Sequence, residues 1–141
     1  MTGYEIAKSY LGYHENKNTS MLDNFIGQYL PAWKGLHVNT TAWCAAFVNA
    51  CERQAGKKGT GQLNARSFLN YGTTVDLLKA QPGDIVIFSR GGSSWQGHVA
   101  YYDGLETSEG RTLIRTIGGN QSDSVSRGWY STERLLGIRR S

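Results

Sequence analysis

The chain changes its hydrophobic rhythm about halfway along. Up to about residue 71 apolar side chains recur every three to four positions, and beyond residue 82 they come in short runs and alternations. Ile6, Ala7, Tyr10 and Leu11 share one face of a helix expected over Thr2–Leu11, with Thr2 and Glu5 as a capping box and Gly12 as its stop. Met21, Leu22, Phe25, Ile26, Tyr29 and Leu30 predict a second helix over Ser20–Leu30, ended by Pro31. A third is expected over Trp43–Ala55, capped by Thr40 or Thr41. It is apolar almost all round, as a helix at the centre of a domain is. A short fourth helix is expected over Ala65–Tyr71.

After the turn Pro82-Gly83-Asp84 the pattern is that of strands. The expected strands are Ile85–Phe88, His98–Tyr102 ending at Asp103-Gly104, Thr112–Ile117, and shorter ones near Val125-Ser126 and Leu135–Arg139. Glu109-Gly110 has the composition of a hairpin turn. Helices followed by an antiparallel sheet make an α+β domain. With 141 residues and no linker or repeat, the expectation is one domain over 1–141. The competing architecture is a small β-barrel decorated by helices.

Composition narrows the picture. The net charge of +4 suits a polyanionic partner. The basic residues are scattered, so nothing favours nucleic acid. No stretch approaches the ~20 apolar residues of a membrane span. The first residues hold no apolar signal-peptide core. Any envelope target would then have to be reached by lysis, through a holin-type pore or by a dedicated delivery machine. The two cysteines, Cys44 and Cys51, fall in one helix, roughly 10 Å apart along its axis, too far for a disulfide.

Cys44 stands out by position. At the start of the third helix it meets the positive end of the dipole, which favours the thiolate. The free N–H groups of the first turn lie where an oxyanion would form. The alternative is a buried structural cysteine, the reading preferred for Cys51. A thiol nucleophile needs a base, and there are three histidines. His98 opens a strand whose alternation sets it on one face with Ala100 and Tyr102. His37 competes by its nearness to Cys44 but has no evident orienting partner, and His14 reads as a surface residue. Asn120 is the candidate to hold the imidazole, with a plain turn asparagine as the alternative. Trp43 and Trp95 adjoin these motifs and are candidates for contact with sugar or peptide, Trp95 the better one, since core packing is the favoured reading for Trp43.

Four blocks in order carry a family likeness: Trp43-Cys44-Ala45-Ala46-Phe47-Val48-Asn49, Gly83-Asp84-Ile85-Val86-Ile87-Phe88, Gly97-His98-Val99-Ala100-Tyr101-Tyr102 and Gly118-Gly119-Asn120-Gln121. Together they resemble the CHAP family (cysteine, histidine-dependent amidohydrolases/peptidases), in the single-domain form found in phage lysins and related bacterial proteins. The resemblance implies a papain-like fold, with helices packed on the sheet, and a peptidoglycan hydrolase. Cys44 would be its nucleophile, His98 its base and Asn120 its orienting group. The bond cut would be an endopeptidase's or an N-acetylmuramoyl-L-alanine amidase's, without a cofactor. Many members carry an acid where this chain has Gly118. Some bind calcium near the N-terminus, but Asn16, Asn18 and Asp23 lack the clustered carboxylates this needs, so no metal is expected. Gln121 and Glu15 join Trp43 and Trp95 as candidate substrate-binding residues. The alternative functions are a delivered cysteine deamidase or peptidase acting on protein, and a non-catalytic wall-binding or tail module.

Overall fold

A computed structural model describes all residues, 1–141. Three α-helices come first, α1 (Gly3–Ser9), α2 (Thr19–Tyr29) and α3 (Cys44–Gln54). Strands β1 (Thr73–Thr74), β2 (Ile85–Ser89), β3 (Gly97–Ser108), β4 (Arg111–Gln121), β5 (Ser124–Ser131) and β6 (Leu135–Arg140) follow. The strands form one antiparallel sheet in the order β1-β6-β2-β3-β4-β5. The arrangement is the α+β fold expected for a CHAP-like domain. Because β1 and β5 end as edges, the sheet is open and not a closed barrel.

The two faces of the sheet carry different cores, as period-2 alternation requires. Ile85, Ile87, Val99, Tyr101, Ile117 and Val125 pack against the helices in the larger cluster. Val86, Phe88, Ala100, Tyr102, Ile114 and Ile138 form a smaller cluster on the other face. The central helix joins the layers, since every residue from Cys44 to Glu52 is buried. Each large apolar side chain among them, such as Phe47 at 0 % exposure, contributes about 1.5–3 kcal/mol by leaving water.

Several boundaries differ from the pattern-based expectation. Both halves of the Thr2–Glu5 capping box form. The third helix, in contrast, starts at Cys44 with Trp43 at its cap and no side-chain hydrogen bond there, so neither Thr40 nor Thr41 caps it. The fourth helix is a 3₁₀ segment, Ala65–Asn70. Asp103-Gly104 does not end β3. The chain crosses it through a register shift, with Gly104 at φ +125°, and pairing runs on to Ser108. Glu109-Gly110 does form the predicted hairpin turn, with both φ values positive. A second turn at Ser122-Asp123, also with positive φ, extends β5 to Ser131, well beyond the expected Val125-Ser126.

Candidate active site

The uncapped start of α3 opens into a cleft of about 300 Å³ that Cys44 lines. One wall is the segment Leu63–Ala65, the other is formed by Arg90 and Trp95–Gly97, and Asn120 also lines the cleft. Both walls are held by buried or tethered polar groups. Asn49, in the middle of α3, is fully buried. Its amide oxygen accepts from the Thr60 and Gly61 N–H groups at 2.7 and 3.0 Å, and its nitrogen donates to the Gln62 carbonyl at 2.8 Å. This pins the loop that leads into the Leu63 wall. On the other side the Arg66 guanidinium donates to the carbonyls of Gln96 and Ser93, both at 2.7 Å. Trp95 projects from that loop, 71 % exposed.

Cys44 is buried but for 6 % of its surface. Burial pushes its thiol up, while the Val99 backbone N–H, the Arg90 charge and the first N–H groups of α3 pull it back. Val99 follows His98 in β3, so the sulfur lies against the backbone that carries the imidazole. His98 itself is fully buried and lies behind the cleft wall formed by Gly97. Its ring stacks on Tyr130, with centroids 5.1 Å apart. Burial lowers its pKa to about 4, against the opposing effect of its hydrogen bond to Gln121. In the free protein the thiol and the imidazole are therefore both neutral, and no hydrogen bond joins them.

The tautomer follows from the network. Gln121 Nε2 donates to the Ser126 carbonyl at 2.6 Å, and a carbonyl can only accept, so the amide orientation is fixed. Gln121 Oε1 then faces three donors: His98 Nε2 at 2.8 Å, the Thr116 hydroxyl at 2.9 Å and the Tyr130 hydroxyl at 3.1 Å. Burial pushes the Tyr130 phenol up to about 12, which keeps it a donor. His98 must carry its proton on Nε2, leaving a bare lone pair on Nδ1. That Nδ1 is the one buried side-chain nitrogen or oxygen in the protein with no hydrogen-bond partner.

The residue bonded to His98 is thus Gln121, not Asn120. Asn120 lines the cleft with Cys44 and sits at φ +60°. No side chain fits at Gly118, because a Cβ there would stand 2.8 Å from that of Ala100. Of the four expected substrate contacts, Trp95 and no other lines the cleft. Trp43 is fully buried beneath Gly119, and its indole N–H donates to Glu15 at 3.0 Å, so Trp43 and Glu15 serve each other inside the fold. Gln121, 5 % exposed, serves His98. His37 does have a partner, Asp23 at 2.8 Å, but neither residue of this hydrogen-bonded pair lines the cleft, and the His14 ring accepts from the Asn16 N–H. Sequence reasoning also passed over Thr116, Tyr130 and Arg90.

Residues 36–120, well over half of the chain, match the CHAP domain family. The chain belongs to the CHAP family. CHAP domains are generally hydrolytic amidases or peptidases, and membership points to a peptidoglycan-related substrate. No curated protein matches the chain. The family match spans both Cys44 and His98 and stops at Asn120, one residue short of the side chain that orients the imidazole. No helix of this CHAP domain is long and apolar enough to cross a membrane.

Proposed function

We propose that this CHAP domain is a lytic enzyme of endolysin type that cleaves amide bonds of cell-wall peptides, with Cys44 as nucleophile, His98 as base and Gln121 as the positioning residue. The observation that carries this reading is the unpartnered Nδ1 of His98, kept bare by Gln121, on the strand residue that precedes Val99, whose backbone N–H reaches the Cys44 thiol. A buried nitrogen without a partner is costly unless the site uses it.

The steps follow from these groups. A substrate carbonyl enters the cleft, and Nδ1 takes the Cys44 proton as the sulfur bonds to the carbonyl carbon. The carbonyl oxygen becomes an oxyanion facing the free N–H groups at the start of α3. The imidazolium keeps its Nε2–H on Gln121 and gives its new proton to the amide nitrogen as the C–N bond breaks. The amine leaves and a thioester remains. Water then attacks the thioester, losing its proton to Nδ1, and the carboxylic acid departs as the thiol re-forms. Asn120 and Trp95 contact the substrate. The likeness of the motifs to single-domain phage lysins supports a monomeric, cofactor-free enzyme that reaches the wall after release or delivery.

The test is digestion of purified sacculi followed by mass spectrometry. The expected result is new amino and carboxyl (or lactyl) termini at one bond type, which also separates endopeptidase from amidase. The Cys44→Ala variant should lose roughly 1,000-fold or more of this activity with its thermal stability kept. Full activity in that variant overturns the proposal. Absence of any released fragment from the unaltered protein turns the reading toward a protein substrate.

A further inference from the structure

Within the cleft one side chain carries a charge that nothing in the protein answers. Arg90 follows the last residue of β2 and is the only charged residue among those lining the cleft. Its guanidinium is exposed and takes part in no hydrogen bond or ion pair of the fold. The two arginines nearest in role are engaged. Arg66 is tied to the Ser93 and Gln96 carbonyls, and Arg134 donates to the Ser89 carbonyl while lying over the Tyr130 ring. Arg90 is followed by Gly91 and Gly92, which place no side chain beside it. Its charge reaches both catalytic groups, easing ionisation of Cys44 and opposing protonation of His98. An anion bound there would sit close to the reacting carbonyl. The rest of the cleft lining carries no carboxylate, so an anionic group of a bound ligand would meet a guanidinium that no acid of the cleft already holds.

We propose that Arg90 is a specificity-determining residue that binds a free carboxylate on the substrate, one residue or so from the scissile amide, and that the cleft therefore takes acidic wall peptides in preference to amidated ones. This rests on the hydrolase reading above and names the substrate class of the same site. A planar guanidinium receives a carboxylate through two parallel hydrogen bonds, which an uncharged carboxamide cannot replace. Trp95, exposed on the same wall, supplies an apolar face for the rest of the ligand.

Binding can be measured apart from cleavage. The Cys44→Ala protein is titrated by calorimetry with a muramyl tripeptide whose glutamyl α-carboxyl is free, and with the same compound amidated at that carboxyl. The free acid should bind about tenfold or more tightly, and the difference should shrink at high salt. Adding Arg90→Gln should bring the two affinities together, and Arg90→Lys should restore part of the gap. Arg90 makes no contact that folding needs, so loss of structure is not expected in either variant. Equal affinities in the Cys44→Ala protein, a preference unchanged by Arg90→Gln, or no binding of either compound would each overturn the proposal. Sacculus digestion by the unaltered protein stands or falls independently, so a failed hydrolase reading and a failed role for Arg90 give different results.

Discussion

Two buried polar centres lie at different places in this fold, and they are completed differently. Between α3 and the sheet Glu52, 2 % exposed, accepts from the Tyr71 hydroxyl at 3.0 Å on one oxygen and from the Tyr101 hydroxyl of β3 at 2.8 Å on the other. At the cleft, Gln121 gathers three donors on one oxygen and uses its nitrogen on Ser126, yet the His98 ring it holds keeps a bare Nδ1. Both centres tie β-strands to their surroundings, and both would be expensive to leave half-made. The first has each carboxylate oxygen paired, as a structural group must. The second leaves a single lone pair open, on the ring whose strand neighbour Val99 faces the one thiol at a helix start. The contrast separates a network that maintains the fold from one that maintains a reactive geometry. Substitutions in the two centres should therefore move different observables.

The largest effect is expected at the open lone pair. His98→Ala should lower kcat by roughly 10²–10⁴-fold, the range for loss of a positioned base, as read by muropeptide release. Next comes the group that sets its tautomer. Gln121→Leu removes the acceptor of the fully buried His98 Nε2–H, which has no other, while Thr116 keeps the Gly128 carbonyl at 3.3 Å and Tyr130 is only partly buried. The loss should cost about 1–3 kcal/mol of stability as well as kcat. Gln121→Glu is the sharper probe, because a carboxylate on Nε2 raises the imidazole pKa. The acid limb of the kcat/KM profile should shift to higher pH in that variant. Asn120→Ala should leave the limb where it was and act mainly on KM. If instead Asn120→Ala moves the limb and Gln121→Glu does not, the assignment of the positioning residue is reversed.

That one-residue difference shows where sequence reading stops. The helices, the order of the strands' apolar runs and the placement of Cys44 and His98 were legible, because each follows from a local rule: helical period, alternation, or a cap position. In a regular strand Gly118 and Asn120 would share the face of Thr116, two and four residues on. The pairing of β4 with β5 shifts register between Gly118 and Gln121, and the shift reverses the parity. Gln121 thereby lands beside Thr116, 2.9 Å from its hydroxyl, and Asn120 turns to the cleft. Two glycines followed by a polar pair warn of an irregularity but do not state its direction. The role of Tyr130 was hidden for a related reason. It lies in the part of β5 made by the Ser122-Asp123 turn, where left-handed non-glycine residues carry little signal. Core packing is the favoured reading for Trp43 from sequence, and its full burial agrees, but the partner of its indole N–H, Glu15, lies 28 residues away and leaves no mark in the local pattern.

Acid should separate the two centres through stability as well. In the unfolded chain the His98 imidazole titrates near its ordinary 6.5, and in the fold near 4. Between these values the unfolded state holds a proton that the native state does not, so stability falls as the pH falls through this window. The full contribution is roughly 3 kcal/mol, present above the upper value and gone below the lower one. Urea unfolding at pH 7 and pH 4 would read it. His98→Asn should flatten the slope by that amount, leaving the part due to carboxylates such as Asp103, whose pairing with Tyr4 and Arg115 outweighs its burial and holds it low. An unchanged slope would mean that the imidazole is solvated in the native state and the centre is open to water.

The smallest expected effect is also the one that tests the comparison from its other side. Tyr71→Phe deletes one of the two donors to Glu52 and nothing at the cleft, since Tyr71 caps the 3₁₀ segment and its hydroxyl touches only Glu52 and the Gly59 N–H. Stability should drop by about 1–2 kcal/mol, the cost of a buried acceptor left short of a partner. The rate of sacculus digestion at a temperature well below unfolding should be unaltered, because no link of hydrogen bonds joins Glu52 to Gln121. The alternative is mechanical: α3 carries both Glu52 and Cys44, eight residues apart, so slack at one end of the helix can displace the sulfur at the other. A loss of kcat beyond about twofold in Tyr71→Phe, at equal folded fraction, would support that coupling. The distinction between a structural centre and a reactive one would then give way to a single rigid unit running the length of the helix.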